Sequence, residues 1–199
     1  LPPVGVVTVC AARSTVTSVT PGPNNMMLLA SGANFGFRRT LPHMLGVAIG
    51  FPAMVMIVGL LLGELFKASV PLREGLRWGG AGLLLWIAWK TATAKGLATA
   101  AADARPMTFL GASAFQWVNP KGWSMAVAAT SQFIIPEKAL LTAAITALTF
   151  LFFGLFSSAT WVGLGQAISG WLTTDRRRAA FNIVMAALIV LSIIELVRH

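Results

Sequence analysis

Two short segments rich in proline, glycine and asparagine interrupt apolar stretches of this chain. The first reads Thr20-Pro21-Gly22-Pro23-Asn24-Asn25 and the second reads Val118-Asn119-Pro120-Lys121-Gly122. Each proline removes a backbone donor and clashes with the preceding turn, so neither segment can continue a regular helix. The backbone groups freed at such a break can bind the carboxylate and the ammonium of a small substrate, with the asparagine amides and the Lys121 ammonium beside them.

A purely structural interpretation also remains open for each segment. The prolines can simply kink packed helices, and Lys121 can reach an interface or neutralise helix-end carbonyls. Two interrupted segments at corresponding places in two halves of a membrane protein nevertheless point to a transporter site near the midplane. The matched pair therefore favours a binding site over two unrelated kinks.

The composition indicates that these segments lie in membrane helices. The 199 residues are 56% hydrophobic and 11% charged, with a mean hydropathy of +0.77. A soluble domain carries about 45–50% apolar and about 25% charged residues. So few charges could not cover the core of a soluble protein, and we expect lipid to surround most of the chain.

Apolar runs of sufficient length predict six membrane-spanning helices. The first begins either near residue 4 or at Ser14, where Arg13 stays outside it. The predicted spans are residues 4–30 or Ser14–Phe37, Leu41–Phe66, Leu76–Thr93, Met107–Pro136, Ala139–Gly163 with an interfacial return over Leu164–Thr174, and Ala179–Val197. The two proline-containing segments fall within the first and fourth spans.

The basic residues predict the orientation of these spans. The formal net charge is +9, but the Lys and Arg residues stand in short clusters between apolar runs and form no nucleic-acid-binding motif. Loops after odd-numbered spans carry eight of them: Arg38, Arg39, Lys90, Lys95, Arg105, Arg176, Arg177 and Arg178. The opposite side carries five: Lys67, Arg73, Arg77, Lys138 and Arg198. The excess of positive charge inside predicts that both termini lie on the outer, periplasmic side.

Few residues could carry protons or hold a metal. Cys10 is the only cysteine, which excludes an internal disulfide or a zinc cluster, and we expect no cofactor or metal. All six acidic residues fall at helix ends or in loops of the predicted topology. His43 changes protonation in the physiological pH range, and with Glu64 and Glu195 it completes the candidates for proton coupling. An interfacial structural role is the alternative for His43.

The order of these motifs resembles the LysE/RhtB superfamily of bacterial amino-acid exporters. The segment from Thr20 to Asn25 with the glycines that follow it, the stretch Gly80–Lys90, and Phe115-Gln116-Trp117-Val118-Asn119-Pro120-Lys121 are similar to the first, third and fourth helices of that family. The resemblance extends from about residue 17 to the C-terminus and is strongest to the cysteine/O-acetylserine efflux branch. It implies six spans, export of amino acids or small derivatives, and energy from the proton gradient.

We therefore expect an all-α integral membrane protein of the bacterial inner membrane. Residues 1–199 form one transporter domain of two inverted three-helix repeats, about 4–97 and 107–197, with helices 1 and 4 broken. The expected function is proton-driven export of neutral amino acids such as cysteine, O-acetylserine, homoserine or threonine. We expect no catalytic site, and a homodimer is one arrangement that remains open. The expected substrate-binding residues are Pro21, Gly22, Pro23, Asn24, Asn25, Gln116, Asn119, Pro120 and Lys121. A membrane scaffold is the alternative; an intramembrane enzyme is disfavoured because no paired nucleophile and base occur.

Overall fold

Helices make up all the regular structure of the computed structural model, which describes residues 14, 18–19, 22–62, 69–93 and 105–198. Over these residues the elements are α1 (Pro23–Ile57) with a π-helical turn (Val58–Leu62), α2 (Val70–Ala92), α3 (Phe109–Val118), α4 (Pro120–Phe133), a 3-10 turn (Pro136–Lys138), α5 (Ala139–Ser169) and α6 (Asp175–Arg198). No strand occurs among them. The predicted all-α fold is confirmed.

Two stretches of the described chain are long and apolar enough to cross a bilayer. Pro23–Leu61 has 39 residues and Pro136–Ser169 has 34, and 18-residue windows within them have mean hydropathies of 2.3 and 2.2. About 20 apolar residues suffice for one crossing. Many of their large apolar side chains face outward, such as Leu148, Phe152 and Phe156 of α5, as expected where lipid is the solvent.

The first of these stretches is a hairpin rather than one straight helix. Gly36 has a φ of 76° and a ψ of 168°, the one positive φ among the described residues, and glycine adopts this conformation without steric cost. The Ser31 and Thr40 hydroxyl oxygens lie 3.1 Å apart, and Leu28 packs beside Met44 and Val47. The chain therefore reverses at Gly36, and α1 consists of a first arm (residues 23–35) and a second arm (residues 37–57).

Glycines let the helices approach to backbone contact. A Cβ at Gly32 would collide with the carbonyl oxygen of Val162, and one at Gly165 would collide with the carbonyl oxygen of Leu29. The first arm and α5 thus meet through reciprocal glycines, the arrangement that brings membrane helices closest. Glycines at intervals along the second arm and the π-helical turn make further close contacts, at Gly46, Gly50 and Gly59.

Three apolar clusters hold the other helices around the α1 hairpin. One joins the first arm to α2, α3 and α6 through residues such as Met26, Leu84 and Ile189. The second joins the second arm to α4 and α5, and the third fills the inside of the hairpin. Because all three clusters include α1, this hairpin is the central element that positions its neighbours.

The prediction that the fifth helix ends at Gly163 was wrong, since α5 continues to Ser169. Gly165 packs on the first arm, and the Gln166 side-chain oxygen accepts a hydrogen bond from the backbone N–H of Phe37 at 2.6 Å. These contacts keep the last turns helical, and only Gly170–Thr174 connect α5 to α6. At 1.5 Å per residue the helix is about 46 Å long, which a bilayer accommodates when a helix tilts.

Candidate functional site

The two proline-containing segments line one pocket, although more than ninety residues separate them in sequence. Gly22, Pro23, Asn24 and Asn25 border it from the start of α1, and Asn119, Lys121 and Gly122 border it from the start of α4. The cavity itself has a volume of about 70 Å³ and continues into open solvent.

At the first break the chain leaves the helical conformation and then re-enters it. Ser18 and Val19 are helical, Gly22 is extended, and α1 begins at Pro23. The carbonyl of Ser18 therefore lacks the usual backbone donor four residues later. It instead accepts hydrogen bonds from the Asn25 amide at 2.8 Å and from the Ser157 hydroxyl at 2.7 Å. Polar side chains from α1 and α5 thus stabilise the broken backbone, as a break within a membrane requires.

At the second break Asn119 is extended, with a φ of −86° and a ψ of 107°, and it separates α3 from α4. The Trp123 indole N–H donates to the carbonyl of Trp117 at 2.8 Å, which satisfies one freed acceptor. The Asn119 side-chain oxygen is buried and accepts no hydrogen bond from the described residues. A buried acceptor without a donor is costly, so this oxygen can take a donor from a ligand.

Lys121 connects the two breaks and makes the pocket electropositive. Its ammonium lies beside Gly22, where an ideal Cβ would be 2.7 Å from Nζ. The N-termini of α1 and α4 border the same space, and helix N-termini carry partial positive charge. No Asp or Glu is among the described residues that line the pocket. The pocket is therefore suited to a carboxylate.

Gln116 lies behind the pocket rather than on its surface. It is fully buried, and its side-chain amide exchanges two hydrogen bonds with Asn24, at 2.8 and 3.3 Å. The same amide nitrogen also donates to the carbonyl of Ala112 at 2.9 Å. Gln116 thus fixes the orientation of Asn24, a residue that does border the pocket.

The Gln116→Leu variant is expected to lower the free energy of unfolding by about 1–2 kcal/mol, because it removes the hydrogen-bond partner of the partly buried Asn24 amide. The double variant Asn24→Leu/Gln116→Leu should recover part of this loss, since both polar groups are then removed. Thermal unfolding of the purified proteins in detergent measures the difference. An equal loss of unfolding free energy in the Gln116→Leu variant and in the double variant would contradict the coupling between Asn24 and Gln116.

The sequence interpretation missed the other walls of the pocket. The second arm contributes Val47, Ala48, Phe51 and Pro52, and α5 contributes Phe150, Gly154, Ser157 and Ser158. The rings of Phe51 and Phe150 meet edge to face with centroids 5.2 Å apart. The adjacent residues Ser157 and Ser158, in the middle of a charge-free apolar run, are the signal in the sequence that could have identified α5 as a wall of the pocket.

The remaining predicted residues are not among the described residues that line the pocket. Pro21 and Glu64 are outside the described residues, and Pro120 is the first residue of α4. Glu195 lies on α6, with its side chain outside the described part. His43 lies on the second arm of α1 with 2% of its surface exposed, and neither ring nitrogen has a hydrogen-bond partner among the described residues.

Comparison with known proteins identifies one family. The family model described as LysE type translocator matches residues 15–198. Proteins named "Cysteine/O-acetylserine efflux protein" from Escherichia coli (strain K12) and from Shigella sonnei (strain Ss046) are each 31% identical to this chain over 183 residues. The alignments cover 88% of this chain and 89% of each relative. No solved structure matches the chain significantly.

Proposed function

The chain belongs to the LysE family of translocators, and from this premise we propose that it exports small neutral amino acids or their derivatives, with the substrate bound in the pocket between the two helix breaks. The family and the efflux relatives make it an amino-acid exporter of the membrane rather than an enzyme. The relatives are named for cysteine and O-acetylserine. These two compounds, with homoserine and threonine, are our proposed substrates.

The observation that carries this proposal is the electropositive pocket with one unsatisfied acceptor. The Lys121 ammonium and the two helix N-termini would bind the substrate carboxylate. The Asn119 side-chain oxygen would accept a hydrogen bond from the substrate ammonium. Both charged groups of an α-amino acid then have partners in the pocket. The wall opposite Asn119 and Lys121 consists of Gly22, Pro23, Asn24 and Asn25.

The apolar wall supports a neutral substrate side chain. Phe51, Pro52 and Phe150 offer only apolar contact to a ligand, while the Ser158 hydroxyl can meet a small polar group. A basic side chain such as that of lysine would stay unpaired beside Lys121, because no acidic residue is among the described lining residues. We therefore propose discrimination against basic amino acids by repulsion and lack of a partner.

We propose that the proton gradient drives export. His43 is the proton carrier we favour over Glu64 and Glu195, since its ring is buried in a membrane helix and its nitrogens lack partners among the described residues. Residues 4–97 and 107–197 would act as two inverted repeats, with the arginine-rich loops cytoplasmic and both termini periplasmic in the inner membrane. Association of two copies as a homodimer also remains our expectation.

Efflux from preloaded cells tests the function directly. Cells that express the chain are loaded with labelled cysteine, O-acetylserine, threonine, homoserine, leucine or lysine, and release is followed with and without an uncoupler. We expect uncoupler-sensitive release of one or two neutral compounds and no release of lysine above that from cells with the empty vector.

Purified protein in lipid vesicles separates this function from a scaffold. A transporter must move the same substrate across vesicles that contain no other protein, whereas a scaffold must not. Export from cells without flux in vesicles would contradict the proposal and favour the scaffold. Release of lysine at the rate of the neutral compounds would contradict the proposed selectivity.

A further inference from the structure

A second buried polar cluster joins α1 to α6 at the far end of the first arm. The Arg178 guanidinium donates to the Asn34 side-chain oxygen at 3.1 Å and to the carbonyl of Leu172 at 3.3 Å. The Asn34 amide nitrogen donates to the Asn182 side-chain oxygen at 3.2 Å and to the carbonyl of Ala30 at 2.8 Å. These bonds tie the first arm to α6 and to the turn that precedes it.

The cluster contains a buried positive charge whose partners among the described residues are all neutral. Arg178 is 8% exposed and Asn182 is 1% exposed. The Arg178 Nε–H and the Asn182 amide nitrogen are buried without an acceptor among the described residues. The donors without acceptors and the buried cation, which has no carboxylate partner among the described residues, offset part of the stability that the hydrogen bonds of Arg178 and Asn34 give to the closed arrangement. Opening would hydrate these groups, so the closed arrangement is poised to open.

The first arm transmits any movement of this cluster to the pocket. Asn24 borders the pocket and Asn34 lies ten residues later on the same helix, a distance of about 15 Å. The Gly36 hinge follows directly, and beyond it the Phe37 N–H is held by Gln166 of α5. A rigid helix with a hinge at one end can tilt as a unit, which is how hinge motions change access to a site.

We propose that Arg178 is a positioning residue that closes the arginine-rich end of the path to the pocket by holding the first arm of α1 against α6. The inference rests on the proposed function, since closing one end of the path matters for a transporter whose pocket opens to each side of the membrane in turn. In the closed state Arg178 and Asn34 stay bonded, and the start of α1 stays beside Lys121. When the bond opens, the first arm tilts and the pocket becomes accessible from this end.

Sided thiol labelling tests this proposal without any need for transport. Cys10→Ser removes the only cysteine, and Gly154→Cys places a reporter thiol in the pocket at a position where a Cβ meets nothing within 4 Å. A membrane-impermeant maleimide is applied to right-side-out and to inside-out vesicles. Addition of Arg178→Gln should raise the labelling rate about tenfold from one side only, the side that carries the arginine cluster.

Two further variants make the result specific. Arg177→Gln is the matched control, because Arg177 is exposed and its guanidinium contacts the turn before α6, over the Trp171 ring at 5.2 Å and to the Trp171 carbonyl at 3.3 Å. It should label like the parent. Arg178→Lys keeps the charge but cannot donate to both Asn34 and Leu172 in the same way, and it should label at an intermediate rate.

Unchanged labelling from both sides in folded Arg178→Gln protein would overturn the proposal, as would an equal increase from both sides. Where Arg178→Gln does not accumulate as folded protein, Asn34→Ser takes its place, since it removes the acceptor of the guanidinium and leaves the charge. One-sided labelling in a protein that transports no amino acid would support the role of Arg178 and contradict the proposed substrates.

Discussion

Replacement of Lys121 by glutamine is expected to reduce export of the identified substrate by about 10- to 100-fold, because a charge-assisted hydrogen bond contributes about 1.5–3 kcal/mol. The Lys121 ammonium lies between the two helix breaks and beside Gly22. Among the described residues that line the pocket, Lys121 is the one with a positive charge. Its replacement by glutamine would therefore remove the counter-charge of a bound carboxylate. The loss should appear mainly as a higher apparent KM.

The measurement is the concentration dependence of efflux from vesicles, with the amount of folded protein determined in parallel. Lys138→Gln is the matched control, because Lys138 is exposed at the start of α5 and lies outside the pocket. It should transport like the parent. Lys121→Arg retains the charge in a bulkier group beside Gly22 and should retain part of the activity.

Parental transport by folded Lys121→Gln protein would show that Lys121 stabilises the helix ends at the breaks and does not bind substrate. A fall in the maximal rate with an unchanged KM would also contradict carboxylate binding in the ground state. The two outcomes separate the structural interpretation from the binding interpretation, which the sequence left open.

Substitution of Gly165 by alanine is expected to destabilise the protein by about 3 kcal/mol, as overpacking at an unyielding contact does. A Cβ at this position would collide with the carbonyl of Leu29 and lie 2.9 Å from the backbone nitrogen of Ala33. Both atoms belong to the backbone of the first arm, which cannot move aside like a side chain. The hairpin would separate from α5, and the pocket between them would be lost.

Gly163→Ala is the control on the same helix, since a Cβ there meets nothing within 4 Å. Alanine is a better helix former than glycine by about 1 kcal/mol, so Gly163→Ala should be neutral or stabilising. The yield of monodisperse protein and its melting temperature in detergent measure both variants. Equal melting temperatures would mean that the first arm and α5 do not meet in backbone contact as described.

The predictions from sequence were best for features that depend on local chemistry. The length of the apolar runs predicts membrane helices whatever their neighbours, because each must satisfy its own backbone in lipid. The prolines at positions 23 and 120 begin helices in the structure, as their missing donors require. The single cysteine and the clustering of the charges remain the basis for expecting no internal disulfide, no zinc cluster and no nucleic-acid partner.

Features that depend on which helix faces pack together could not be predicted from the sequence. Gln116 was expected in the binding site, but its pairing with Asn24 on another helix buries it behind the pocket. The last turn of α5 was expected to lie along the interface, but Gly165 and Gln166 find partners on α1 that keep it helical. In the sequence Arg178 was one of three loop arginines, and its contact with Asn34 of the first arm distinguishes it from Arg177, whose guanidinium also donates to the turn before α6.

The sequence by itself determined that the chain is a helical membrane protein with two broken helices and the motifs of an amino-acid exporter. Backbone hydrogen bonding and the cost of polar groups in lipid act on each segment separately, and composition is enough to predict them. Only the tertiary structure decided that Lys121 reaches Gly22, that Ser157 and Ser158 complete the pocket, and that Arg178 ties α1 to α6. These relations join residues far apart in sequence, and the packing of helix faces against one another fixes them.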